Sequence, residues 1–140
     1  MKNLRSILLA LTVLLLATAA QAQTTNVKAS IPFDFVVGDH AYSAGEYTAK
    51  SMAIDGVAIR IDNADESEKG ITLSNPCSSG RPATGTKLVF QRLGNNYFLY
   101  QVWTEGNSAG REFPKSKREV QLAKNNSKPE LVMVAANISH

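Results

Sequence analysis

Apolar residues recur at every second position in short runs along most of this chain, and turn residues separate the runs. A period of two marks half-buried strands rather than helices. The first run covers 27–37, where Ile31, Phe33 and Phe35 alternate with Pro32 and Asp34. Pro32 has no N–H for a ladder, so the pattern predicts an edge strand or a bulge there. Gly38-Asp39 ends the run, and Ala44-Gly45 turns into a strand over 46–50. Asp55-Gly56 is a strong hairpin dipeptide between 51–54 and 57–61. In the second arm Val57, Ile59 and Ile61 alternate, with Arg60 pointing outward.

A charged connection over 63–69 leads to a short strand at 70–73. Residues 75–85 hold Pro76, Gly80, Pro82 and Gly85 and read as a loop, long for a compact domain. The central hairpin follows, with arms at 87–93 and 97–104 joined by Gly94-Asn95-Asn96. Alternation puts Leu88 and Phe90 on one face, and Phe98, Tyr100 and Val102 on one face of the partner arm. Leu99 and Trp103 fall on the opposite face. Apolar residues on both faces imply strands covered on both sides, or a ligand-facing surface.

Near the end the period changes. Ser116-Lys117-Arg118-Glu119 fits a capping box, with Ser116 as N-cap and Val120, Leu122 and Ala123 as a small apolar face. A strand is the alternative reading of Val120 and Leu122, and the capping pattern favours the helix. A last strand is expected over 130–136. The sum is an all-β fold: a small antiparallel β-sandwich or barrel of seven or eight strands, with one short helix near 117–124.

The amino-terminal segment follows a different rule. Lys2 and Arg5 precede an apolar run from Ile7 to Ala20, and Ala20-Gln21-Ala22 is a small-x-small cleavage pattern. The run is shorter than the roughly 20 residues a membrane span needs. Residues 1–22 are therefore expected to be a cleaved signal peptide, and 23–140 a single all-β domain, secreted or periplasmic and not membrane-spanning after cleavage. The 118 residues left are enough to bury a core without cross-links.

Charge and chemistry change this picture little. Without Lys2 and Arg5 the 15 basic residues fall to 13 against 12 acidic, so the net charge drops from +3 to +1. The cations are scattered, which argues against nucleic acid as a partner. Cys77 is the lone cysteine, so no internal disulfide can form. His40 and the terminal His140 are the two histidines, and no nucleophile signature surrounds Cys77. Asp62, Asp65, Glu66 and Glu68 crowd one turn without calcium-loop spacing and read as a solvated acidic turn. No catalytic residue, cofactor or metal is expected. Aromatic residues are the best material for a binding face, and Tyr97, Leu99 and Trp103 are the expected one.

Ile31-Pro32-Phe33-Asp34-Phe35-Val36-Val37-Gly38, followed by Ala44-Gly45-Glu46-Tyr47, resembles the opening of a group of short exported proteins of soil bacteria. Those proteins share an IPFDF-x-VG … PAG-x-Y pattern. Tyr97-Phe98-Leu99, Val102-Trp103, Gly110, Pro114-Lys115-Ser116 and Glu119 extend the likeness over most of the chain. The group has no established activity, so the resemblance implies a class and not a function. Ser43 stands where that pattern has Pro, which implies a looser turn. The Ala-Gly-x-Tyr fragment is also similar to turns in bacterial surface β-sandwich modules.

The resulting expectation is a monomeric, non-catalytic binding or structural module of the cell envelope. Its partner would be an envelope protein, a polysaccharide or a small apolar ligand. The alternative is a lipocalin-like barrel with Leu88, Phe90, Phe98, Tyr100 and Val102 lining its interior; a small hydrolase ranks third.

Overall fold

The computed structural model describes residues 25–125 and 128–139, so the expected leader at 1–22 lies outside the described residues. Two sheets stack face to face. The first has the order β12-β1-β4-β5-β6, from Asn137–Ile138 (β12), Asn26–Ile31 (β1), Gly45–Ser51 (β4), Ala58–Asn63 (β5) and Lys69–Leu73 (β6). The second has the order β11-β8-β9-β10-β7, from Glu130–Ala135 (β11), Lys87–Leu93 (β8), Asn96–Trp103 (β9), Ala109–Glu112 (β10) and Asn75–Ser78 (β7). The hairpin of β2 (Phe35–Val37) and β3 (His40–Tyr42) joins the second sheet by a parallel pairing of Val36 with Phe98. The sheets do not close on each other, so the fold is a sandwich and the barrel is set aside.

Twelve strands appear among the described residues where seven or eight are expected. The run at 27–37 is two strands in different sheets: the chain leaves the first sheet after Ile31 and enters the second at Phe35. Pro32 ends the ladder because it cannot donate. Asp34 braces the crossing by accepting from the Ala44 N–H at 2.8 Å. The Asp55-Gly56 turn is present, but its arms are β4 and β5, with Ser51 opposite Ile59. Met52 and Ile54 belong to the connection and are exposed. The loop expected at 75–85 begins with β7. Pro76 is tolerated there because β7 is an edge strand, paired with β10 alone among the described residues.

The core lies between the sheets. Val27, Ile31, Ile59 and Ile61 meet Phe35, Leu88, Phe90, Leu99 and Val102, with Phe113 added. Phe35 organises the aromatic part: it stacks on Tyr42 at 5.2 Å and meets Tyr47 and Phe90 edge-on at 5.0 and 5.6 Å. Leu88, Phe90 and Val102 thus fill a packed core instead of lining a barrel lumen.

The helix, α1 (Lys117–Lys124), starts as expected: the Ser116 hydroxyl accepts from the Glu119 N–H at 3.0 Å. Its buried face is a correction. Val120 and Ala123 are exposed, Leu122 is half-buried, and Glu119 is buried. Burial pushes the Glu119 carboxyl above its ordinary pKa, opposed by the Ser116 backbone N–H and then by Lys115.

Ser43 does not loosen its turn. Its N–H and its hydroxyl both donate to the Glu68 carboxylate, at 2.9 and 2.8 Å. A proline could supply neither donor. The Tyr47 hydroxyl also donates to Glu68 and lies 2.8 Å from the Ser43 carbonyl oxygen. Three donors hold the Glu68 carboxyl below its usual pKa, Tyr47 contributing most. Such a group stabilises the fold above its unfolded pKa of roughly 4.3 and loses that contribution as pH falls through the folded value. Acid titration of stability should therefore fall below about pH 4.3. Tyr47→Phe should flatten that fall, as denaturant melts at pH 3 and pH 6 would show; an unchanged slope would remove Glu68 as its origin.

Gly70 marks the closest approach between layers. A Cβ there would overlap the Tyr42 hydroxyl and come within 3.3 Å of His40 Cδ2. The β2–β3 hairpin occupies the space under β6, so Gly70 and Thr72 are the residues β6 turns toward it. Gly70→Ala should cost about 1–3 kcal/mol by overpacking. Gly85→Ala, where a Cβ meets nothing within 4 Å, should be near neutral in the same thermal melts.

Candidate binding face on the second sheet

The central hairpin has two buried faces, and one irregularity sorts its side chains. The pairing runs Lys87 with Trp103, Leu88 with Val102 and Val89 with Gln101, then shifts so that Phe90 meets Leu99. Tyr100 is the extra residue, a β-bulge in β9. Past the bulge the alternation reverses. Leu99 and Val102 both enter the core, while Trp103 and Gln101 lie on the outer face with Val89.

The three residues expected to share a face are therefore parted. Tyr97 stacks on Phe33 at 3.8 Å at the rim of the core, with the Arg92 guanidinium 5.7 Å from its ring. Leu99 is in the core and is 5% exposed. Trp103 alone reaches the outer face, and it is 7% exposed. Phe98 and Tyr100, expected beside Val102, lie outside the core cluster for the same reason.

Trp103 is fixed from below and from the side. Its ring lies on Gly110, where a Cβ would come within 2.7 Å of Cε3 and within 2.8 Å of the Val102 carbonyl oxygen. Its indole N–H donates to Gln101 Oε1 at 3.0 Å, and Gln101 Nε2 donates to Glu112 Oε2 at 2.9 Å. Glu112 also bonds the Tyr100 hydroxyl, whose pKa is raised by burial first and by Glu112 second. A line of side chains thus crosses the outer face with its polar atoms satisfied.

Beside this line is a groove of about 370 Å³. Val89, Gln101 and Trp103 form its floor, Leu131 and Met133 of β11 one wall, and the 79–84 segment the other. That second wall is pinned: the Ala83 N–H donates to the Asn107 carbonyl at 2.8 Å, and the Gly106 N–H to Ala83 at 2.9 Å. Leu131 and Met133 are 54% and 62% exposed. Arg81 and Lys87 line the groove, and no carboxylate does. The sequence reading missed Val89, Gln101, Leu131 and Met133. The alternation of Leu131 and Met133 with Val132 and Val134 was visible, but nothing local tells which row faces out.

The other candidate chemistry is dispersed. Cys77 lies opposite Gly110 in the ladder. Burial first, and Glu112 next, push its thiol above the ordinary range, against the Gly110 N–H and Arg111. A raised thiol is a poor nucleophile near neutral pH. Arg111 is a clamp between the sheets: it donates to the Ser74 hydroxyl at 2.9 Å and the Ser74 carbonyl at 2.8 Å. In the acidic turn, Asp62 pairs with Arg60 at 2.7 Å, and Asp65 accepts from the Ser67 hydroxyl at 2.7 Å. Among the described residues no helix is long and apolar enough to cross a membrane.

Comparison with protein-family models, with curated proteins and with solved structures gave no match.

Gly110→Ala should displace the Trp103 ring and cost about 1–3 kcal/mol. The chain has one tryptophan, so its emission spectrum reads this position directly. A red shift is expected, and an unchanged spectrum would mean that the ring does not rest on Gly110.

Proposed function

We propose that this chain is an exported, non-catalytic binding module of the cell envelope, and that its binding face is the groove beside Trp103. One observation carries the reading. Two large apolar side chains, Leu131 and Met133, stand exposed over a rigid floor of Val89 and Trp103. Monomeric proteins scatter exposed apolar residues, and a contiguous group lining a depression marks an interaction site. Methionine suits such a wall because its thioether adapts to varied partners. With Arg81 and Lys87 at the groove and no acid lining it, the occupant is a protein segment that inserts an apolar side chain next to a carboxylate.

This reading sets the lipocalin-like carrier aside, because the sheets do not close into a barrel. The hydrolase gains no support either, since the groups acting on the Cys77 thiol include no imidazole.

Short peptides pairing Leu or Phe with Asp test the proposal against Trp103 emission. A saturable change is expected, weakened about tenfold or more by Lys87→Glu, the loss of one charge-assisted contact of about 1.5–3 kcal/mol. Peptides carrying Lys in place of Asp should bind less well. No saturable response to the acidic peptides, or a response equal for both sets, would overturn this assignment of the site.

A further inference from the structure

The edge of β11 has a property the groove does not explain. Among the described residues β11 pairs with β8 alone. The register sets Ala135 opposite Lys87, and the Ala136 N–H donates to the Thr86 carbonyl at 2.9 Å. In an antiparallel ladder such hydrogen-bonded positions recur at every second residue. Val132 and Val134 therefore turn their backbone groups toward β8, while Leu131, Met133 and Ala135 turn theirs to the free side. The exposed side chains of the strand belong to those same three residues.

An open edge of this kind is a template for another strand unless something blunts it. The other edges are blunted. β7 carries Pro76, β12 has two residues, and β6 carries Lys69 in its exposed row beside Arg60 of β5. β11 has no proline, no basic residue and no bulge, and its one charge, Glu130, sits at its first position.

We infer that the occupant of this edge is the same edge of a second copy of this chain, in an antiparallel, twofold-symmetric pairing centred on Met133. Met133 then faces Met133 of the second copy, and Leu131 faces Ala135. The sequence singles out this register. Centring it on Val132 would bring Pro129, which has no N–H, into a hydrogen-bonding position. Centring it on Val134 would require Asn137, which has already crossed to the first sheet. In the Met133 register no charge opposes a like charge, and Glu130 keeps its place 3.8 Å from Arg92. The contact is isologous, so it closes as a dimer and does not grow. It replaces the monomer expected from the sequence. It also stands apart from the groove reading, because it uses the backbone edge and leaves the groove open on the sheet face.

Sedimentation equilibrium of the 23–140 chain tests it, with hydrogen exchange as a second reading. Mass should double as concentration rises to about 100 μM, well above a micromolar Kd. The Leu131, Met133 and Ala135 amides should be protected in the dimer. Met133→Lys, at a position 62% exposed, should fold with an unchanged dichroism spectrum, remain monomeric and lose that protection. Ile71→Lys, on the β6 edge, should dimerise like the parent. A monomer at about 100 μM would overturn the inference. So would a dimer that survives Met133→Lys, or one abolished by Ile71→Lys.

Discussion

One extra residue, Tyr100, decides which side chains of β9 enter the core and which reach the surface. In an unbroken ladder Leu99, Gln101 and Trp103 would share a face. The bulge instead directs Leu99 and Val102 inward, where they fit against Phe90 and the isoleucines of β5. It sends the far larger indole of Trp103 outward, onto Gly110. The bulge leaves no carbonyl idle, because Tyr100 accepts from the Phe113 N–H at 2.9 Å. That bond holds the chain just beyond β10 and leads it toward the capped start of α1. Core filling, the outer face and the position of the helix all follow from the same insertion.

The locally encoded parts of this arrangement were legible. Gly94 takes a φ of 62° in the turn between β8 and β9, a conformation few other residues accept, so the hairpin announces itself. Ser116 and Glu119 announce the helix start in the same way. The sandwich followed from the period of two. The bulge was not legible, because nothing in Phe98-Leu99-Tyr100-Gln101 disturbs the alternation; the shift exists only relative to β8. The face proposed from Tyr97, Leu99 and Trp103 failed to assemble for that reason alone. The crossing at Pro32 was half legible: the break in the ladder could be read, the change of sheet could not.

Several residues have meaning only through a distant contact. Gly70 looks like an ordinary strand defect until Tyr42 is found beneath it. Gly110 looks like a loop residue until the Trp103 ring is placed on it. Ser43 reads as a weakened turn until Glu68, 25 positions on, is seen to take both of its donors. In each case the sequence shows the absence of a side chain or the presence of a small polar one. The partner that makes this useful lies on another element.

The two outer faces of the sandwich are physically different, and this locates function more firmly than any single residue. On the first sheet the outward rows carry Lys28 with Glu46 at 3.5 Å and Arg60 with Asp62 at 2.7 Å. Water already satisfies such a face, and exposed pairs of this kind contribute little to stability or recognition. On the second sheet the outward rows carry Val89, Leu93, Phe98 and Trp103, all buried. Part of that face is closed where α1 packs on β8 and Arg118 bonds Asn96 at 2.8 Å. The remainder, from Trp103 to Met133, has no element of the described chain above it. A sandwich needs one apolar layer to hold its sheets together, and this chain has that layer in full. The second apolar layer exceeds what folding requires, and its open part is where a partner gains most by binding.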